Sequence, residues 1–346
     1  MTCQQLKKSG WWTLYLLVTV SLSAFLLEYA TRLLRLAPPL PQIQGVPDAH
    51  LPYKPPPLST TVEHNSEYHC EYQHNSLGLR DVEHTLAKPE GVFRILGLGD
   101  SFTYGIGVPV QQTYLSQLEE LLNQRDGQHP KVEMINAGIY RYFPEPERLW
   151  LEHYGLAYAP DLILVGFVPN DVLDTHLGIE AVTVENFYLV TREAQALGPL
   201  GHWLYLHSHV ARIVLGSYVS NRIQTTYRPR RKEVYKANGY HENDWQRIEQ
   251  EYAKMKQLAD SINARLVIVH IPQRGPWKEQ HAYPARRLSD WSARNGVQFI
   301  DTLPAMKESP SQEELYYKKD GHCRPAGHEV IARTLFTELT DKGLVP

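Results

Sequence analysis

The sequence predicts an α/β protein, a three-layer α/β/α sandwich with about five parallel strands, preceded by one N-terminal transmembrane helix. Three observations predict it. An uncharged apolar run opens the chain. A proline-dense stretch follows. From residue 92 onward, short β-branched runs alternate with amphipathic helical patterns.

The first run, Trp11–Leu27, holds 17 residues without charge or proline. As a helix it spans about 25 Å, slightly less than a hydrocarbon core of about 30 Å. Continuing through Glu28, Ala30 and Leu33 closes the gap, with Arg32 and Arg35 snorkelling to the far interface. Lys7 and Lys8 precede the run and favour an inside N-terminus, so residues 1–10 read as cytoplasmic and 11–33 as a signal anchor. A cleaved signal peptide competes, but its small-residue site at Ser21–Ser23 falls inside the apolar run. A buried soluble helix is the third reading. Eight prolines between residues 37 and 60 deny helix and central strand, so 34–73 reads as an extended stalk. The stretch 61–90 looks polar and irregular.

The domain proper is expected over residues 74–346. VFRILGL (92–98), VEMINA (132–137), LILVGFV (162–168), RLVIVHI (265–271) and VQFID (297–301) are strand candidates, the third and fourth apolar enough for burial on both faces. Thr113 suits a helix cap before Leu115, Leu118, Leu121 and Leu122. Ile248, Tyr252, Met255, Ala259 and Ile262 repeat at helical spacing. A helix from about Pro284 ends near Gly296, and Pro325 opens a last helix. Strands alternating with helices give a flavodoxin-like doubly covered sheet. Residues 172–240 break the rhythm and read as an insertion with a helix near His202–Leu215.

Composition narrows the function. Net charge is −3, which disfavours a nucleic-acid partner. Three cysteines cannot build a disulfide scaffold, and at most Cys70–Cys323 can bridge. His202, His207 and His209 lack a completing acidic or cysteine ligand, so no metal or cofactor is expected. The basic run Arg228–Lys232 reads as a solvated loop.

Four short motifs carry chemistry. Gly99-Asp100-Ser101 follows the first strand, where a serine is presented at a helix start rich in N–H donors. Asn136-Ala137-Gly138 ends the second strand, and a glycine there permits close backbone approach. Asn170-Asp171 follows the third, offering amide donors. Asp320-Gly321-His322 precedes the last helix, where the pair can meet if the chain turns at Gly321. Each alone is as well explained by a turn or cap. Together they fall where a parallel sheet opens its ligand crevice.

In this order the blocks GDSFTYG (99–105), NAG (136–138), PND (169–171) and DGH (320–322) resemble the SGNH/GDSL hydrolase superfamily. The flanks NSLGLRD, FRILGLGDSFTYGIGV and DGHCRPAGHEVIA resemble its membrane-anchored bacterial members. The resemblance covers roughly 74–171 and 248–340. It implies Ser101 as nucleophile, His322 as general base then acid, and Asp320 as its orienting partner. It implies an oxyanion hole from the Ser101 and Gly138 amides and the Asn170 side chain. His328 is expected to pack in the last helix. The Asp-x-His spacing is shorter than the commoner Asp-x-x-His, and occurs among enzymes that handle acyl groups on polysaccharides. The implied activity is hydrolysis or transfer of short acyl groups, such as O-acetyl, on cell-envelope carbohydrate by a periplasmic domain held at a bacterial inner membrane. A lipid esterase or thioesterase is the enzymatic alternative, and an idle glycan-binding module of an export complex the non-enzymatic one.

Overall fold

The computed structural model describes residues 3–34, 36–37, 44–185, 188–191, 197–222, 241–275, 277, 282–309 and 311–346. The chain forms two compact units. One comprises Met1–Pro41 with Val190–Arg230, the other Gln42–Leu189 with Arg231–Pro346.

The larger unit is built on a five-stranded parallel sheet. In chain order its elements begin with an antiparallel hairpin of β1 (Thr60–His64) and β2 (His69–Gln73). Then come β3 (Val92–Gly99), β4 (Lys131–Gly138) and β5 (Leu162–Phe167). A short strand pair, β6 (Val182–Glu185) and β7 (Tyr188–Thr191), runs into the insertion. β8 (Arg265–His270) and β9 (Gln298–Asp301) complete the sheet, whose order is β4-β3-β5-β8-β9. All four pairings are parallel. Every residue of β5 is buried, as a strand covered on both faces requires.

The helices explain that burial. In chain order, α1 spans Cys3–Leu33, α2 Ser101–Tyr104, α3 Tyr114–Asn123, α4 Pro144–His153 and α5 Asn170–Leu177. In the smaller unit α6 (Gly198–His207) and α7 (His209–Arg222) form a helical hairpin. Then follow α8 (Glu242–Ser261), α9 (Tyr283–Asn295), α10 (Leu303–Glu308), α11 (Gln312–Leu315) and α12 (Pro325–Asp341). Thr113 caps α3 by accepting from the Ser116 N–H, and Leu115, Leu118 and Leu122 turn inward. They join Ile331, Leu335 and Leu339 of α12 on one face of the sheet, against Ile95, Leu164 and Val267. On the other face, α4 packs beside α8, which buries Ile248, Tyr252 and Met255. Gly296 ends α9 with a positive φ of 64°.

Two expectations change, and one open question is answered. Residues 61–90 are not irregular throughout: Tyr68, Cys70 and Tyr72 alternate inward along β2, a period-two pattern that makes a strand. Nor is the whole of 34–73 a free stalk. From residue 44 on, its apolar side chains have somewhere to go: Leu51 and Tyr53 are buried, and the Tyr53 hydroxyl donates to the Tyr140 carbonyl. The only permitted bridge is not made. Cys70 and Cys323 are both free thiols and both buried, Cys323 inside the core beneath α12. Arg35 and the run Arg228–Lys232 lie outside the described residues.

Candidate active site

The register of the sheet creates the site. Gly99 of β3 stands level with Gly138 of β4 and Gly166 of β5. A Cβ at Gly99 would lie 2.1 Å from Thr103 Oγ1, and one at Gly138 2.4 Å from the Tyr104 nitrogen. Only bare backbone lets the turn after β3 fold down onto the strand ends. Asp100 caps that turn by accepting from the Phe102 N–H at 2.8 Å. Ser101 thus sits at the first position of α2, where the backbone N–H has no acceptor within the helix.

Arg80 braces the loop beyond α2. Its buried guanidinium donates to the carbonyls of Tyr104, Gly105 and Val108 and lies 4.5 Å over the Tyr72 ring. Asp81, its neighbour, accepts from the Asn136 N–H at 2.7 Å. The stretch before β3 therefore holds both α2 and β4.

Ser101, His322 and Asp320 meet in one hydrogen-bonded chain. His322 Nε2 lies 2.7 Å from Ser101 Oγ, and its Nδ1 bonds Asp320 Oδ1. Gly321 supplies the turn with a φ of 89°. Burial alone would raise the Asp320 carboxyl, but hydrogen bonds from His322 and Tyr68 and the His322 charge hold it below the usual carboxylate range. It is therefore an anion, suited to fix the Nδ1–H tautomer and to stabilise an imidazolium.

The loop carrying this pair is clamped by the β1–β2 hairpin. The Glu67 carboxylate accepts from the N–H groups of Lys318, Lys319 and Asp320 at 2.8–2.9 Å. The Tyr68 hydroxyl lies 3.1 Å from Asp320 Oδ2 and 3.0 Å from Glu63 Oε1. It has one proton to share between two carboxylates. Sequence reasoning missed these three residues. The alternation of Tyr68, Cys70 and Tyr72 after the turn at Asn65 was the available signal.

The expected oxyanion donors are less uniform. The Asn170 amide sits over the site, its Nδ2 donating to Asp100 Oδ2 at 3.0 Å and to Asp174 Oδ2 at 3.3 Å. Its carbonyl accepts from Gln273 Nε2 at 2.7 Å, which fixes the amide's orientation. The Gly138 N–H donates to Asn136 Oδ1 at 3.0 Å. Burial pushes Asp100 up to about 6, against the hydrogen bonds it receives from Asn170 and Phe102. His328 is buried at the start of α12, where its Nδ1 accepts from the Tyr114 N–H and burial depresses it to about 3, so it packs rather than reacts. Beside the site, a cleft is walled by Pro55, Val62, Glu63, Tyr72, His74, Tyr104, Ile106 and Tyr140. Tyr140 also stands 6.3 Å from the His322 ring. Among the described residues no three His, Cys, Asp or Glu side chains are grouped to hold a metal ion.

A serine after a strand of the parallel sheet, linked to a histidine and an aspartate in the loop before the last helix, is an arrangement of hydrolases, and the family match makes the class an ester hydrolase. Residues 98–330 match the GDSL-like Lipase/Acylhydrolase family, and the chain belongs to it, within the SGNH/GDSL superfamily. Solved structures resemble it more distantly. TesA is 14% identical with a TM-score of 0.44, covering 72% of this chain and 98% of its own. A lipolytic G-D-S-L protein from Veillonella parvula is 12% identical with a TM-score of 0.41, covering 72% and 98%. A catalytic mutant of Axe2, an acetylxylan esterase from Geobacillus stearothermophilus, is 14% identical with a TM-score of 0.44, covering 71% and 94%. No curated protein matches the chain significantly.

Proposed function

We propose that this ester hydrolase acts through a Ser101–His322–Asp320 triad on short acyl groups, such as O-acetyl, carried by cell-envelope carbohydrate. The observation that carries the reading is the unbroken hydrogen-bonded path from Asp320 through His322 to Ser101 Oγ. His322 takes the Ser101 proton as Oγ attacks the acyl carbon, then returns it to the departing alkoxide. The acyl-serine is cleared by water, or by a sugar hydroxyl, activated by the same imidazole. The tetrahedral oxyanion is held first by the Ser101 N–H. Asn170 Nδ2 and the Gly138 N–H, which face Asp100 and Asn136 in the resting chain, are the further donors of this reading.

Phenol rings in the cleft support the carbohydrate reading. Tyr72, Tyr104 and Tyr140 offer faces on which a sugar ring can stack and Glu63 a hydrogen-bond acceptor, beside the apolar Pro55, Val62 and Ile106. The helix Trp11–Leu33 is long and apolar enough to cross a membrane. Lys7 and Lys8 before it favour an inner-membrane anchor with the catalytic unit on the periplasmic side. On this reading residues 1–10 are cytoplasmic, 11–33 the anchor, and 74–346 the hydrolase domain interrupted at about 172–240.

The test is turnover of p-nitrophenyl acetate against the octanoate ester by the full chain in detergent, with Ser101→Ala as blank. Serine-dependent preference for acetate is expected. A preference for octanoate overturns the carbohydrate O-acetyl reading, and equal rates in Ser101→Ala overturn the mechanism.

A further inference from the structure

The smaller unit mixes polar with apolar side chains inside and exposes large apolar ones outside. In α6 and α7 the side chains turned inward are His202 and Arg212, only 5% and 6% exposed, beside Leu206 and Val219. Those turned outward include large apolar ones: Leu200 at 70%, Trp203 at 54% and Val214 at 66%, with Ile213 and Tyr218 beside them. The spacing is helical in both elements. Leu200 and Trp203 lie on one face of α6, and Ile213, Val214 and Tyr218 on one face of α7. A soluble helix hairpin shows the opposite pattern, since exposed apolar area is what burial normally removes. The α6–α7 hairpin carries no acidic residue, and its charges are Arg212 and Arg222.

The hairpin is tied to one place on α1. Glu28 accepts from the His209 and Val210 N–H groups and from the Ser208 hydroxyl, so its carboxylate caps the start of α7. Arg32 donates both to Glu28 and to the His207 carbonyl at the end of α6. Glu28 and Arg32 are the first charges after the apolar run that begins at Trp11. If that run crosses the bilayer, the turn between α6 and α7 is fixed at the membrane–water boundary. Ten and fourteen residues make helices of about 15 and 21 Å, too short to cross.

We propose that α6 and α7 form an interfacial helical hairpin whose Leu200, Trp203, Ile213, Val214 and Tyr218 face is immersed in the lipid leaflet adjoining the catalytic side. The occupant of this apolar surface is the bilayer itself. Trp203 and Tyr218 suit the headgroup level, with an apolar ring body and a polar edge. The insertion thus supplies a second, broad attachment beside the single anchor helix. The inference rests on the reading that α1 crosses the membrane.

The test is nitroxide labelling of the full chain reconstituted in phosphatidylethanolamine–phosphatidylglycerol vesicles. Cys3→Ser provides the background, since Cys70 and Cys323 are buried. Single Leu200→Cys, Val214→Cys, Leu17→Cys and Asp126→Cys variants are labelled, and accessibility to oxygen is compared with that to a water-soluble nickel chelate. Labels at 200 and 214 are expected to favour oxygen by several-fold relative to the label at 126, at a shallower depth than 17. Lipid depth at 17 with aqueous values at 200 and 214 overturns the hairpin proposal alone. Aqueous values at 17 overturn the anchor reading and the proposal with it.

Discussion

At the scale of single residues, the proposed mechanism separates groups that would react from groups that would hold them. Ser101→Ala removes the proposed nucleophile, and activity is expected to fall by more than about a thousandfold. Asp320→Ala leaves the serine and imidazole but not the anion that orients them, so it is expected to fall roughly tens-fold less far. Initial rates on p-nitrophenyl acetate check both, and equal losses would contradict the division of roles. Asn170 is the informative third case. Its amide is pinned by Gln273 on one side and by Asp100 and Asp174 on the other. If Nδ2 turns to the oxyanion in the transition state, Asn170→Ala lowers kcat by about a hundredfold or more with little change in KM. A KM effect alone would reassign Asn170 to ground-state binding.

At the scale of elements, the turn after β3 and the loop before α12 are each held from outside. Gly138→Ala places a methyl 2.4 Å from the Tyr104 nitrogen and 2.6 Å from the Thr103 carbonyl carbon. Both contacts are backbone, so α2 must move. We expect a loss of about 1–3 kcal/mol in denaturant unfolding together with loss of turnover. Glu67 is different, because it lies half-buried at the hairpin turn and its carboxylate accepts from the N–H groups of the Asp320 loop. Glu67→Ala is expected to lower kcat about tenfold while KM and the melting temperature barely move. A fall in stability as large as the fall in rate would make Glu67 structural. These two elements also mark what the sequence made legible. The motif strands and α12 could be placed because apolar runs, caps and proline positions are local signals: Thr113, Gly296 and Pro325 act where they were expected. The hairpin could not, because only its tertiary partner gives Glu67 and Tyr68 their purpose. The prolines from 47 to 57 read as a stalk, since proline excludes regular structure but says nothing about what an irregular chain packs against.

At the scale of the whole molecule, the larger unit buries carboxylates behind the site, and this makes folding proton-linked. Burial raises Asp100 to about 6, and raises Asp171 and Glu147 well above their ordinary values. Above the ordinary carboxylate range these groups hold protons in the folded chain that they release on unfolding, Asp100 only up to about pH 6. Their contribution is therefore fully present below about pH 4 and is lost as pH rises, for Asp100 between its unfolded value of 3.8 and about 6. Asp320 and Asp48 are shifted downward and act in the opposite sense, losing their contribution as pH falls. Stability should peak in mildly acid solution and decline toward alkaline pH. Glu147 isolates the alkaline limb, because neither of its oxygens has a hydrogen-bond partner and it lies outside the reacting set. Each such carboxyl costs about 1.4 kcal/mol per pH unit once the unfolded chain ionises and the folded one does not. Glu147→Gln keeps the shape and removes the proton linkage. The amide is buried unpaired just as the acid was, so the absolute difference at low pH is not the readout. The expected result is a variant whose unfolding free energy gains on the native chain between about pH 5, just above the ordinary glutamate range, and a second, higher pH. Denaturant unfolding at the two pH values measures it, and a difference that does not change with pH would mean that Glu147 is ionised in the folded chain.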